Sequence, residues 1–264
     1  MNSQIKITIK HGEILYYLYR FRFLTRVQLQ ELLGHNEPSR LNRWLAELKG
    51  YHFIGKDYNE RDGKNRSPSI CFLDKAGLSY IAKKYNIRNS YIQKLRNEEA
   101  ISLETKNHSI IAANFYLILS KYATSMNHTL RYFTKADLAG MSIYRYIKPD
   151  AYFSYQTEKG KRRCFIEIDL ETESIPTIRK KLINYYKFFL TDKWKSKEII
   201  DFPSIAFICL TPKRLEKLIS ASENIFQHRN IIVKCTTLSE IKTSGINKPI
   251  WSILFTKNKT FKLL

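Results

Sequence analysis

Apolar positions in the first third of the chain recur at helical spacing. In residues 11–23 (HGEILYYLYRFRF) the repeat is carried by Ile14, Leu15, Leu18 and Phe21. Thr25 is a good N-cap for a second helix, with Val27, Leu29, Leu32 and Leu33 as its apolar face and Gly34 as a stop. A short polar turn follows, and Pro38 suits the first turn of a third helix. That helix puts Leu41, Trp44, Leu45 and Leu48 on one side, Arg40, Arg43 and Glu47 on the other, and ends at Gly50. The period then changes. Phe53–Lys56 and Ser69–Leu73 are strand-like runs separated by a polar stretch centred on Asp62-Gly63, which predicts a hairpin. Three helices and then a hairpin is the order of a winged helix-turn-helix. In such a unit the third helix enters a DNA major groove and the hairpin lies along the backbone. Asp74 caps a further helix, and residues 86–104 read as a helical connector of mixed charge.

Beyond the connector the pattern is mixed. Residues 107–122 form an apolar helix, and 129–134, 144–156 and 162–170 look like strands. Residues 177–191 form an amphipathic helix with Ile178, Leu182, Tyr185 and Phe189 as its stripe. Residues 204–210 are a continuous apolar strand, as in a sheet covered on both faces. A helix over 213–226, a strand over 231–237 and a closing hairpin complete the order. The expected fold is α+β to α/β: a winged helix in 1–90, a helical connector in 91–106, and a mixed-sheet domain in 107–264.

Composition narrows the function. Apolar residues make up 44% of the chain, too many for a disordered protein. No apolar run approaches the ~20 residues needed to cross a bilayer, and the first residues lack the apolar stretch of a secretion signal. Cys71, Cys164, Cys209 and Cys235 are too far apart for a C-x-x-C metal or redox motif, which fits reduced, buried thiols in the cytoplasm. Lys and Arg number 45 against 24 Asp and Glu, a net charge of +21. The excess is spread over both parts: 18 basic against 10 acidic residues in 1–100, leaving 27 against 14 in the rest. A field of this sign attracts polyanions, and double-stranded DNA is the first candidate partner, with no membrane partner expected.

The candidate DNA contacts are Arg40, Asn42 and Arg43 on the third helix and Arg61, Lys64 and Arg66 on the wing. Asp57, Glu60 and Asp62 bring the wing close to neutral. Against the basic background, Asp150, Glu167, Asp169, Glu171 and Glu173 fall within 24 residues. Strand side chains alternate, so Phe165, Glu167 and Asp169 share one face, while Cys164, Ile166, Ile168 and Leu170 share the other and pack on a helix. With a two-residue turn at Lys159-Gly160, Asp150 falls opposite Asp169 and Tyr152 opposite Glu167. Like charges placed opposite one another are destabilising. A hard divalent cation bound by Asp150, Glu167 and Asp169, or nearby Arg162, Arg163, Arg179 and Lys180, would compensate.

Lys148-Pro149-Asp150 at a strand start, followed by Phe165-Ile166-Glu167-Ile168-Asp169, resembles the motif of the PD-(D/E)xK nuclease superfamily. So does the order of a helix, a three-stranded meander, a helix and a further strand. The resemblance implies Mg²⁺ or Mn²⁺ on Asp150, Glu167 and Asp169, polarising a scissile phosphate. The third motif position is Asp169 where that superfamily usually has Lys. Lys180 or Lys181 on the following helix is the candidate replacement, with Lys180 taken as the catalytic one. The whole chain resembles the replication-relaxation family of plasmids and other mobile elements. The resemblance rests on the N-terminal winged helix, His108, Pro149-Asp150-Ala151-Tyr152-Phe153, the string from Phe165 to Ser174, and Leu210-Thr211-Pro212. It implies a role in replication initiation, relaxation or mobilisation, with a relaxase, a helicase or another replication protein as partner. A metal-dependent endonuclease or nickase and a winged-helix transcriptional regulator are the alternatives.

Overall fold

The computed structural model describes residues 6–57, 68–96, 100–158, 160–196, 199–222, 225, 231–254 and 259–264. The chain divides into two compact units, Met1–Leu117 and Ile118–Leu264.

In the first unit, α1 (Ile9–Phe21) starts two residues earlier than its apolar repeat, because Thr8 and His11 form a capping box. A two-residue strand, β1 (Leu24–Thr25), leads into α2 (Arg26–Leu32), where Thr25 and Gln28 cap one another in the same way. Helix α3 (Pro38–Gly50) follows, with proline in its first turn. Leu41, Leu45 and Leu48 bury the inner side of α3, each contributing about 1.5–3 kcal/mol of transfer free energy. Strands β2 (Ile54–Asp57) and β3 (Ile70–Leu73) pair antiparallel, from Ile54 opposite Leu73 to Asp57 opposite Ile70. Strand β1 pairs with the other edge of β3, giving the sheet order β1-β3-β2. Three helices and this small sheet are the winged-helix arrangement the sequence pattern predicts. The expected turn of the wing, with Arg61, Lys64 and Arg66, lies outside the described residues.

Helix α4 (Lys75–Tyr85) is capped by the Asp74 carboxylate, which accepts the Lys75 N–H at 2.6 Å. The segment expected as a connector overlaps α5 (Asn89–Lys94) and the first turn of α6 (Leu103–Ser125). The two units divide within α6. Inside the first unit, the buried Gln28 amide donates to the Ile110 carbonyl and to Asn114 Oδ1, both at 2.7 Å. Buried Lys106 reaches Asp57 at 2.6 Å. These bonds fix the small sheet and α2 to α6.

In the second unit, β4 (Thr129–Thr134) is followed by α7 (Lys135–Leu138) and a 3₁₀ turn at Ser142–Arg145. Then come β5 (Ala151–Thr157), β6 (Gly160–Asp169), α8 (Ile175–Leu190), β7 (Ser204–Cys209), α9 (Pro212–Ser222), β8 (Val233–Thr237), α10 (Leu238–Ser244), β9 (Trp251–Ile253) and β10 (Thr260–Phe261). The strand expected over 144–156 begins only at Ala151, because residues 142–145 coil into the 3₁₀ turn and Pro149 has no N–H to give a ladder. Among the described residues the sheet runs β10-β9-β8-β7-β6-β5-β4. Strands β4, β5 and β6 form an antiparallel meander, and β6, β7 and β8 are parallel, with α8 and α9 as crossovers. Helix, meander, helix, strand is the element order expected from the sequence pattern.

The β5–β6 register differs from expectation by two residues. Thr157 pairs with Gly160, and Ala151 pairs with Ile166. Tyr152 therefore stands opposite Phe165, the ladder ends at Ala151, and Asp150, whose N–H bonds the Ile166 carbonyl, comes beside Glu167 rather than opposite Asp169. A shift of two keeps every side chain on its face. The core lies on the Phe165 face, with Ile178, Leu182, Tyr185 and Phe188 of α8 and Leu218 of α9 packed on it. The face bearing Glu167 and Asp169 is thus the one covered by α8 and α9, whereas the sequence pattern put a helix on the Cys164 and Ile166 face. The opposite face, with Ile166, Ile168, Ala206 and Ile208, is buried too. All four cysteines are free and buried. Burial pushes the Cys71 thiol up to about 11, Cys164 and Cys235 up to about 12, and Cys209 higher still. No described helix is long and apolar enough to cross a membrane.

Candidate functional site

Two sets of polar side chains stand out, one in each unit. In the first, Ser39, Asn42, Arg43, Ala46 and Lys49 are exposed. At 3.6 residues per turn they form a single stripe along α3. Asn42 and Arg43 sit at its centre, as expected. Arg43 is 68% exposed and reaches Glu47 at 3.9 Å. Arg40 lies on the flank of the stripe, 3.4 Å from Glu37. Lys49 and the small Ala46, which lets a helix approach a groove closely, were not singled out from sequence. Their signal is the 3–4 spacing continued past Arg43.

In the second unit, Asp150, Glu167 and Asp169 are 5%, 3% and 4% exposed. The structure brings the first two together and separates the third. Asp150 sits just before β5. Its N–H bonds the Ile166 carbonyl at 2.9 Å, and its Oδ2 accepts the Ile168 N–H at 2.7 Å. Its Oδ1 meets Lys135 Nζ at 2.5 Å. Across the strand pair, Glu167 Oε1 accepts the Tyr185 hydroxyl at 2.6 Å, and Oε2 lies 3.5 Å from Lys181 Nζ. Lys181 also holds Glu173 at 2.8 Å.

Burial and the neighbouring Asp150 charge push the Glu167 carboxyl up to about 7, outweighing the pull of Lys181 and the Tyr185 hydrogen bond. Burial works against a charged Lys181, but Glu167, Asp150 and Glu173 more than offset it and raise its pKa. Asp150 likewise raises Lys135 over the opposing effect of burial. The Tyr185 hydroxyl is pushed well up by burial and by Glu167, so it is a proton donor here.

Asp169 belongs to a different cluster. Arg214 of α9 holds it with two bonds, Nε to Oδ2 at 2.6 Å and Nη2 to Oδ1 at 3.1 Å. Nη2 also donates to the Glu173 carbonyl at 2.5 Å. The Glu171 N–H adds a bond to Asp169 Oδ1 at 3.0 Å. Glu171 takes a left-handed conformation at φ 64°, and its carboxylate accepts the Thr211 hydroxyl. This clamp shapes the β6–α8 loop and so positions Glu173 against Lys181.

The lysine beside the carboxylates is Lys181. Lys180 is exposed, because the helix turn that buries Ile178 and Leu182 carries residue 181 toward the sheet and residue 180 away from it. Lys135 was missed from sequence. It follows β4, whose pairing of Thr134 with Ala151 puts the start of α7 beside Asp150. Glu104 is exposed and His108 half-buried, both on the part of α6 in the first unit.

Among the described residues no group of three or more His, Cys, Asp or Glu side chains is arranged to hold a metal ion. A pair of carboxylates is nevertheless a sufficient protein contribution for Mg²⁺, which keeps several waters and commonly takes one or two carboxylates plus substrate phosphate. Asp150 Oδ1 and Glu167 Oε2 are the oxygens such an ion would use, and in this structure they are met by Lys135 and Lys181 instead.

No curated protein matches the chain. Among solved structures, a transcriptional regulator from Thermotoga maritima is 18% identical, with a TM-score of 0.26 over 46% of this chain and 78% of its own. A MepR variant from a multidrug-resistant S. aureus clinical isolate is 21% identical, with a TM-score of 0.28 over 44% of this chain and 80% of its own. The restriction endonuclease FokI is 13% identical, with a TM-score of 0.31 over 89% of this chain, which spans 43% of FokI. The family model for replication-relaxation proteins matches residues 15–201. That span takes in α3, Asp150, Glu167 and Lys181, and the chain belongs to the replication-relaxation family.

Proposed function

We propose that this chain is a DNA-binding protein of a plasmid or other mobile element, acting in replication initiation, relaxation or mobilisation. In this reading the mixed-sheet unit cleaves a phosphodiester bond with Mg²⁺ or Mn²⁺ as cofactor, and the winged helix selects the duplex. The observation that carries it is the buried pair Asp150 and Glu167, opposed across β5 and β6, with the Lys181 ammonium beside it. Buried like charges are costly, and perturbed groups of this kind concentrate where chemistry is done.

Each side chain has a separable task. The Ile168 N–H and the Tyr185 hydroxyl each hold one carboxylate oxygen, which orients the other oxygen of Asp150 and of Glu167 for a cation. A bound divalent ion would supply Lewis-acid polarisation of a phosphoryl oxygen. Lys181, kept charged by its three carboxylate neighbours, supplies a fixed positive charge where negative charge grows during phosphoryl transfer. Half-exposed Lys135 has room to swing away from Asp150.

Incubating supercoiled plasmid with the protein and Mn²⁺ or Mg²⁺ tests this. Nicking is expected, with loss on Asp150→Ala or Glu167→Ala and a strong reduction on Lys181→Ala. Nicking that survives both carboxylate changes at the wild-type rate would place the chemistry elsewhere. The 2.5 Å pair of Lys135 with Asp150 favours a second reading, in which an internal cation replaces the metal and the unit is a DNA-binding platform for a relaxase or helicase. Duplex binding without any nicking, unchanged by Lys135→Ala, would select that reading.

A further inference from the structure

Strand β6 is longer than its parallel neighbour. Ser204, the first residue of β7, pairs with Cys164, so Gly160–Arg163 is paired with β5 alone among the described residues. A cavity of about 720 Å³ opens beside this projecting end. Lys161, Arg162, Arg163 and Lys234 contribute to its lining, and Phe189, Ile200 and Ile232 form apolar parts of the wall. An adjoining recess of about 480 Å³ adds Arg131 and Gln156 and shares Lys161, Arg163 and Ile200.

The register places three of these cations. Arg131 pairs with Ser154, which pairs with Arg163, so the two guanidinium-bearing positions flank one row across three strands. Lys161 is the next same-face position along β6, roughly 6–7 Å away at 3.3 Å per residue. Among the described residues the lining carries two acidic side chains, Asp192, which is paired with Lys195 at 2.8 Å, and Asp201. Lys234 is half-buried and donates to the Lys262 and Leu263 carbonyls, and its pKa is lowered, first by burial and also by Arg162.

We infer that this recess binds a single strand of nucleic acid, at a site distinct from both the recognition helix and the Asp150–Glu167 pair. Cations clustered beside an apolar wall suit phosphates and bases, the pattern of single-strand grooves. The volume is that of a small-ligand pocket. It is the size of one or two nucleotides. Ile200 is 81% exposed at the wall, an unusual position for a large aliphatic side chain and a surface for an unstacked base.

Fluorescence anisotropy of the full chain with a labelled oligo-dT 20-mer and with a 20-base-pair duplex tests the assignment. The variants are Arg131→Glu with Lys161→Glu, Ile200→Asp, and Arg43→Glu on the recognition helix. The first two alter exposed side chains only. The expected result is at least a tenfold loss of oligo-dT affinity in the double variant, a smaller loss in Ile200→Asp, and duplex affinity within twofold of wild type for both. Arg43→Glu is expected to do the reverse. Equal losses for both probes in the recess variants, or no loss for oligo-dT, would overturn the assignment. So would displacement of oligo-dT by oligo-glutamate at equal charge concentration, which would make the projecting strand a site for acidic peptides.

Discussion

The recognition helix and the carboxylate pair solve opposite problems. On α3 the polar groups stay in water and the apolar side is buried, so Asn42 and Arg43, the latter in a loose exposed pair with Glu47, cost little to display. In the mixed sheet the polar groups are the buried ones, and each needs a compensating neighbour: Lys135 for Asp150, Tyr185 and Lys181 for Glu167, Arg214 for Asp169. Changes at the first site should therefore alter binding and spare stability. Changes at the second should alter stability even before chemistry is measured.

The hardest test of that contrast is Arg214→Ala. It leaves Asp169 buried without its bidentate partner, a loss of about 3–5 kcal/mol for a broken buried pair. Denaturant unfolding should show it, and a loss under 1 kcal/mol would mean that water reaches the clamp.

Glu167→Gln should act in the opposite direction. Because the folded value of Glu167 lies near 7, above the ordinary 4.5, the fold favours the protonated acid. Its contribution is fully present below about pH 4.5 and lost as the pH rises through 7. Glutamine fixes the neutral state. The variant should match wild type at pH 4.5 and exceed it by about 3 kcal/mol at pH 8. A gap that does not vary with pH would show that Glu167 is ionised throughout.

Arg43→Ala should cost about 1–3 kcal/mol of duplex affinity if it reads a base edge, with the unfolding midpoint unchanged. A lower midpoint would blur the contrast between the two regions. Arg40→Ala, on the flank of the stripe and already paired with Glu37, should cost under about 1 kcal/mol, the usual range for an exposed ion pair. Salt titration of the same complexes would separate phosphate contacts from base contacts.

The same contrast explains what could be read from sequence. Helical repeats are local, so Leu41, Leu45 and Leu48 disclosed α3 and, by exclusion, its exposed side. The alternation of CFIEIDL placed Glu167 and Asp169 on one face of β6, and the two-residue error in the hairpin turn did no harm because it preserved that face. Partners from distant segments left no local trace. Lys135 arrives through the β4–β5 ladder and Arg214 from a helix 45 residues beyond Asp169. Choosing Lys181 over Lys180 depended on the phase of α8, which Ile178 and Leu182 set only once the covered face of the sheet was known. The projecting end of β6 was equally hidden, since it follows from where β7 begins to pair.

The four buried thiols have a practical consequence. With burial holding their pKa values far above neutral, almost none is thiolate at pH 7, and thiolate is the form that alkylating reagents attack. The native molecule is a dark background for maleimide chemistry. One cysteine introduced at Ser39 beside the recognition stripe, or at Ile200 on the recess wall, would carry a dye alone, and each would report occupancy of its own surface without any native residue being removed.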